Sequence, residues 1–280
     1  MVFLSDINML LQTDEILANE NRISLTSSRK RLAEASKDIP LTYYNASELR
    51  GMSDVLPSPL GKLNECLAGG FRPGQLFELV GEAGSGKTQF CMHMAAIALH
   101  SAMTVYWIDT ESTLRPERLI SIMQYISVDS LEALHVAKCS SLSDLVNLVR
   151  TLGETILSRR ERVLLIVDSV AGVARSGLQH ISTRQAALHE LAVLIKQLNV
   201  VSIVTNHVIA NLQTEKTGSC DAALGVTWSH AVNGRLFLRV HETLPMVGRK
   251  SRAIDVIKAP AGMSESSIGF EITSTGINSI

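Results

Sequence analysis

No stretch of the chain reaches the roughly 18 consecutive apolar residues that a membrane-crossing helix demands. The N-terminus also lacks a basic segment followed by a long apolar run, so neither a membrane anchor nor a secretory leader is expected, and the protein reads as soluble and intracellular. Charge of one sign is lacking too. The 26 Lys and Arg residues stand against 27 Asp and Glu, for a net charge of −1. Without a global basic field, contact with nucleic acid has to come from local loops or from an assembly. Cys66, Cys91, Cys139 and Cys220 are the only four cysteines and form no C-x-x-C pair, which points away from a disulfide frame or a thiolate metal site. Internal repeats and low-complexity tracts are missing as well. What remains is 280 residues, 46% of them hydrophobic, enough for one large domain with a short appendage.

Against that background one stretch stands out. Gly81, Glu82, Ala83, Gly84, Ser85, Gly86, Lys87 and Thr88, followed by Gln89, read G-x-x-x-x-G-K-T. The apolar run Leu76-Phe77-Glu78-Leu79-Val80 before it suits a buried strand, and Thr88 to Leu99 runs on as a helix without a breaker. A strand, a glycine-rich loop and a helix N-terminus together wrap a phosphate with backbone N–H groups. Lys87 then reaches the β- and γ-phosphates, and the Thr88 hydroxyl holds Mg²⁺. The expectation is a nucleoside-triphosphate site.

The rest of the chain supplies a matching frame. Residues 1–50 form a short helical N-terminal extension, with an amphipathic pattern over Val2 to Leu17 and a basic cluster at Arg29-Lys30-Arg31. That cluster reads as a solvated helix face, a nuclear address or a phosphate contact. The core spans 51–280. Strands are expected at Thr104 to Asp109, Ala133 to Ala137, Arg162 to Asp168 and Val200 to Asn206, with helices over 60–67, 114–126, 141–157 and 183–198. Strands alternating with helices give an α/β fold, a mostly parallel sheet covered on both faces. Arg235 to Val240, Ala253 to Lys258 and Ile268 to Thr273 follow without helices, as a C-terminal antiparallel meander on the sheet edge.

Three groups complete the expected chemistry. Asp168 ends an apolar strand, which places its carboxylate at the sheet edge, beside the phosphate loop, to bind Mg²⁺ through water. Glu111 follows the strand ending in Asp109, where a carboxylate serves as base or water-orienter, or is a solvated loop residue. Asn206 and His207 end a further strand at the same edge. They are either a γ-phosphate sensor or a strand-end pair bonded to nearby backbone.

The block from Gly81 to Gln89, Asp109-Thr110-Glu111, Arg115-Pro116-Glu117-Arg118-Leu119, Leu164 to Ser169 and Val204-Thr205-Asn206 resembles the RecA-like strand-exchange recombinases of archaea and eukaryotes. Ala222 to Asn233, with its Ala-Leu-Gly-Val-Thr-Trp-Ser-His run, is similar to the B-type recombinase paralogue, whereas Asn206-His207 is similar to the D-type. The resemblance implies a RecA-type P-loop ATPase core with ATP and Mg²⁺ as ligands. Lys87, Glu111 and His207 are then catalytic, and Arg118 flanks the adenine. It implies docking through Tyr43 and Ala46, which would add a strand to a neighbour's sheet, while Lys258 would face the neighbour's nucleotide. Two DNA-binding loops are implied, about 174–183 with Arg175 and Arg184, and about 208–229 with Lys216. They are poor in cations and aromatics, which weakens autonomous strand exchange. The helix-hairpin-helix signature of the family's usual N-terminal domain is not found in residues 1–50.

The implied role is a nuclear recombinase paralogue in homologous-recombination repair, a weak DNA-dependent ATPase without a membrane association. It would join other paralogues and the main recombinase and promote filaments on single-stranded DNA. An autonomous strand-exchange enzyme and a non-hydrolysing structural adaptor are the alternatives.

Overall fold

The structure, a computed structural model, describes residues 24, 26–27, 55–123, 128–159, 161–175, 180–208, 224–241, 251–260 and 267–280. The chain divides into two units, Met1–Ser53 and Asp54–Ile280, and the second carries everything that follows. Val2 to Leu17, the Arg29 cluster, Tyr43, Ala46 and Lys216 lie outside the described residues.

The elements run in chain order as α1 (Gly61–Cys66), β1 (Leu76–Gly81), α2 (Lys87–His100), β2 (Thr104–Asp109), α3 (Pro116–Ile122), a 3-10 turn (Val128–Ala133), β3 (Leu134–Lys138), α4 (Leu142–Arg159) and β4 (Val163–Asp168). Then come α5 (Val170–Ala174), α6 (Ile181–Gln197), β5 (Val201–His207), α7 (Gly225–Ala231), β6 (Gly234–His241), β7 (Ser251–Lys258), β8 (Ser267–Thr273) and β9 (Gly276–Ser279).

Among the described residues the strands form one sheet in the order β3-β2-β4-β5-β1-β6-β7-β8-β9. The first six are parallel, and β7, β8 and β9 continue antiparallel. The expected mostly parallel sheet with a C-terminal meander is therefore present. Its first strand, β6, pairs parallel to β1 and only its other side is antiparallel, because α7 carries the chain back to the start of the sheet. Two short helices, α5 and α7, and the last strand, β9, have no counterpart in the expected elements. Each is too short for periodicity to reveal.

Burial explains the layers. Every residue of β1 and β4 is buried, as parallel strands covered on both faces must be. Helix α2 is buried nearly all round, with Phe90, Met92, Met94, Ala95 and Ala98 inside, so its sequence shows no polar face. Phe71 packs edge-on against Phe77 with ring centroids 4.6 Å apart. Gly234 lies so close beneath that pair that an added Cβ would come within 2.4 Å of the Phe77 ring. The core thus clamps β1 and α2, the two elements that carry the phosphate loop.

Candidate nucleotide-binding site

Gly81, Asp109, Asp168 and His207 all stand at the C-terminal ends of parallel strands, at one edge of the sheet. Gly81 is in register with His207, and Asp109 with Asp168. Open α/β sheets bind ligands at this edge.

The loop between β1 and α2 turns through Gly84 at φ 78° and Gly86 at φ 109°, left-handed conformations that glycine adopts without strain. A Cβ on Gly81 would come within 2.3 Å of the Leu238 carbonyl, so β6 sets the floor of the loop. The Lys87 ammonium donates to the carbonyls of Gly81 at 2.7 Å and Glu82 at 2.9 Å. Burial pulls its pKa down, opposed by the negative charges of Asp168 and Glu111. The Ser85 hydroxyl is buried without a partner among the described residues. An orphaned donor beside a buried ammonium at a helix N-terminus fits a phosphate, which would supply the missing acceptors.

Asp168 is only 4% exposed and lies within a ring of hydroxyls. Its carboxylate accepts from Thr88 at 2.8 Å, Thr113 at 3.1 Å and Thr205 at 2.5 Å. The threonine that ends the phosphate-loop motif and the acid of β4 are thus brought together, and this oxygen-only pair suits Mg²⁺. No cluster of three or more His, Cys, Asp or Glu side chains placed for a metal occurs among the described residues. Asp109 acts structurally, accepting the N–H groups of Thr113 and Leu114 to close the turn that delivers Glu111.

Glu111 sits beside Ser169 and His207. The Ser169 hydroxyl donates to its Oε1 at 2.5 Å, and His207 Nε2 lies 2.9 Å from the same oxygen. Burial raises the carboxyl pKa, but these hydrogen bonds and the charges of His207 and Arg175 outweigh it and leave the group below its ordinary value. Thr110 locks the approach, donating to the Ser169 carbonyl at 2.7 Å and accepting its N–H at 2.8 Å.

The other candidates divide. Arg118 bonds Gln89 Oε1 at 2.7 Å and the carbonyls of Thr273 and Ser274 at 2.7 and 2.6 Å, fastening α3 to the turn between β8 and β9. Arg175 ends α5 near Glu111, its Nε donating to the Ala171 carbonyl at 3.2 Å. Arg184 lies in the first turn of α6, within the helix expected over 183–198, and the loop expected over 174–183 is shorter because that helix begins at Ile181. The second expected loop ends earlier than Ser229, where α7 takes over from Gly225. Lys258 lies at the opposite sheet edge from the phosphate loop, in register with Arg235. Its ammonium donates to the carbonyls of Val232 at 2.5 Å and Ser229 at 3.3 Å, at the C-terminal end of α7.

Sequence reasoning did not single out Thr113, Ser169 or Thr205 as site residues. Thr205 carried the clearest signal, a hydroxyl next to Asn206 near the end of the buried strand β5.

The Rad51 family model matches residues 58–280. Among curated proteins the chain is 31% identical over 251 residues to mouse "DNA repair protein RAD51 homolog 2", covering 73% of this chain and 70% of the relative. It is 27% identical over 230 residues to mouse "DNA repair protein RAD51 homolog 4", covering 76% and 69%. The human homolog 2 is 29% identical over 251 residues, with 73% of this chain and 64% of the relative covered. With a phosphate loop, an acid-capped strand and a family match over the whole sheet, the chain belongs to the Rad51 family of RecA-like recombinases, as a paralogue.

Proposed function

We propose that the chain is a nuclear ATP- and Mg²⁺-dependent recombinase paralogue of homologous-recombination DNA repair, which assembles with other paralogues and the main recombinase on single-stranded DNA. The observation that carries this reading is the intact constellation at one sheet edge. Lys87, the Thr88–Asp168 pair and the Glu111–Ser169–His207 cluster are all in place, whereas an adaptor has no use for them. Lys87 would exchange the carbonyls of Gly81 and Glu82 for phosphate oxygens, and Ser85 would find its acceptor. Thr88 and Asp168 would hold Mg²⁺, which when bound neutralises phosphate charge. Glu111, oriented by Ser169 and His207, is the group to position a water and take its proton. Its lowered pKa keeps it an acceptor at neutral pH but makes it a weak base, in keeping with slow turnover. Gln89 and Arg118 would border the adenine, and Arg175, Arg184 and Lys216 would contribute cations toward DNA.

Assembly has a matching surface. Strand β3 is a sheet edge, with Val136 48% exposed. Beside it lies a cavity of about 310 Å³ lined by Tyr106, Ile108, His135, Ala137, Leu152 and Arg159. A neighbour's extended segment can pair with this edge and seat alternate side chains in the cavity, as Tyr43 and Ala46 of this chain would on the next subunit.

Steady-state ATP hydrolysis with and without single-stranded DNA tests the reading. Slow, DNA-responsive turnover that is lost in Lys87→Ala is expected. Glu111→Gln should lower turnover by about 10²–10⁴-fold while ATP still binds. Absence of ATP binding by the unmodified protein would refute it.

A further inference from the structure

Strand β1 carries an acid that the nucleotide site does not use. Glu78 is fully buried, in the middle of the otherwise apolar run before the phosphate loop. Its Oε1 accepts from Asn206 Nδ2 at 2.7 Å and from Trp228 Nε1 at 2.8 Å, and its Oε2 from Arg235 Nε at 2.6 Å. The three donors come from three elements, β5, α7 and β6. A buried carboxylate persists only when its oxygens are satisfied in this way.

The placement of those donors is informative. Asn206 precedes and Trp228 follows the connection from β5 to α7, so one carboxylate holds both of its ends. From Asn206 the chain of contacts leads into the nucleotide site. Asn206 Oδ1 accepts the His207 N–H at 2.8 Å, and the His207 ring meets Glu111 at 2.9 Å. From Arg235 it leads the other way, through the Ser229 hydroxyl at 3.0 Å to the end of α7, whose carbonyls hold the Lys258 ammonium.

We infer that Glu78 is a positioning residue that couples the nucleotide site to α7 and Lys258 at the opposite sheet edge. A shift of His207 on nucleotide binding is passed by Asn206 to Glu78 and, through Trp228 and Arg235, to α7. The inference rests on the nucleotide reading of the Glu111–His207 site. A carboxylate is required because all three neighbours are donors. A glutamine offers one acceptor oxygen and would turn its own N–H₂ toward a donor.

The two tryptophans, Trp107 and Trp228, make the coupling observable in the full chain. Trp228 Nε1–H bonds Glu78, whereas Trp107 Nε1 has no partner among the described residues. In ¹⁵N-labelled protein, with the two indole resonances assigned by Trp107→Phe, ATP with Mg²⁺ should move the Trp228 resonance. Asn206→Ala leaves the Glu78–Trp228–Arg235 contacts standing and removes both bonds of the Asn206 side chain, to Glu78 and to the His207 N–H. It should retain ATP binding by calorimetry and lose the Trp228 shift. Glu78→Gln should displace the resonance before nucleotide is added and abolish the response; if it does not fold, Asn206→Ala decides alone. A full response in Asn206→Ala, or none in the parent protein while ATP binds, would overturn the inference. A parent that binds no ATP would fail the nucleotide reading itself, and the coupling with it.

Discussion

Replacing Thr205 with valine removes one hydroxyl from the cluster around Asp168 while keeping the side-chain shape. Thr205 is fully buried and Asp168 is 4% exposed, so no water takes over the lost bond. A hydrogen bond to a charged group contributes about 1.5–3 kcal/mol. For a domain of this size that corresponds to a drop in melting temperature of roughly 3–12 °C. The functional effect is separate. Released on its Oδ1 side, the Asp168 carboxylate loses its fixed orientation toward Thr88, and loss of such an outer partner typically weakens metal affinity by about 10–100-fold. Urea unfolding gives the first quantity, and Mg²⁺ titration of nucleotide binding gives the second. Thr205→Ser restores the hydroxyl and should recover Mg²⁺ affinity, although the missing methyl still lowers stability. A Thr205→Val protein with parental Mg²⁺ affinity would refute the argument that this hydroxyl orients the acid.

Further expectations follow from the same site. An added Cβ on Gly172 would stand 3.0 Å from both Glu111 Oε1 and Thr110 Oγ1, so Gly172→Ala should push Glu111 out of place and lower kcat while nucleotide affinity holds. Steady-state kinetics beside nucleotide titration would show this, and a lowered affinity with unchanged kcat would contradict it. Since His207 holds the Glu111 pKa down, His207→Ala should move the acid limb of the pH–rate profile to higher pH. In the parent protein the lowered Glu111 pKa contributes stability that is present above the group's ordinary value of 4.5 and lost as pH falls through the folded value. His93 behaves in the parallel sense. Burial and the neighbouring Arg118 lower its pKa, so stability should fall as pH drops from its ordinary 6.5 toward the folded value. Acid unfolding of His93→Gln should lose that slope.

The sequence alone determined the architecture and the first half of the site. Gly81 to Thr88 is a contiguous motif whose spacing encodes a strand, a turn and a helix, and the apolar runs ending in Asp109, Asp168 and Asn206 had to be buried parallel strands. Local order carries such information because a loop and its flanking elements are neighbours along the chain. The partners were not legible in the same way. Thr113 and Thr205 reach Asp168 from loops and strands 55 and 37 residues away, and Asn206, Trp228 and Arg235 meet Glu78 from 128, 150 and 157 residues away. An acid in an apolar strand or a lone threonine in another looks like an exception until strand order is known. That order, with β5 and β6 on either side of β1, is set by how helices pack on the two faces of the sheet. Only the tertiary structure could therefore decide which buried polar groups satisfy one another, because an unpaired carboxylate inside the sheet is too costly to leave alone.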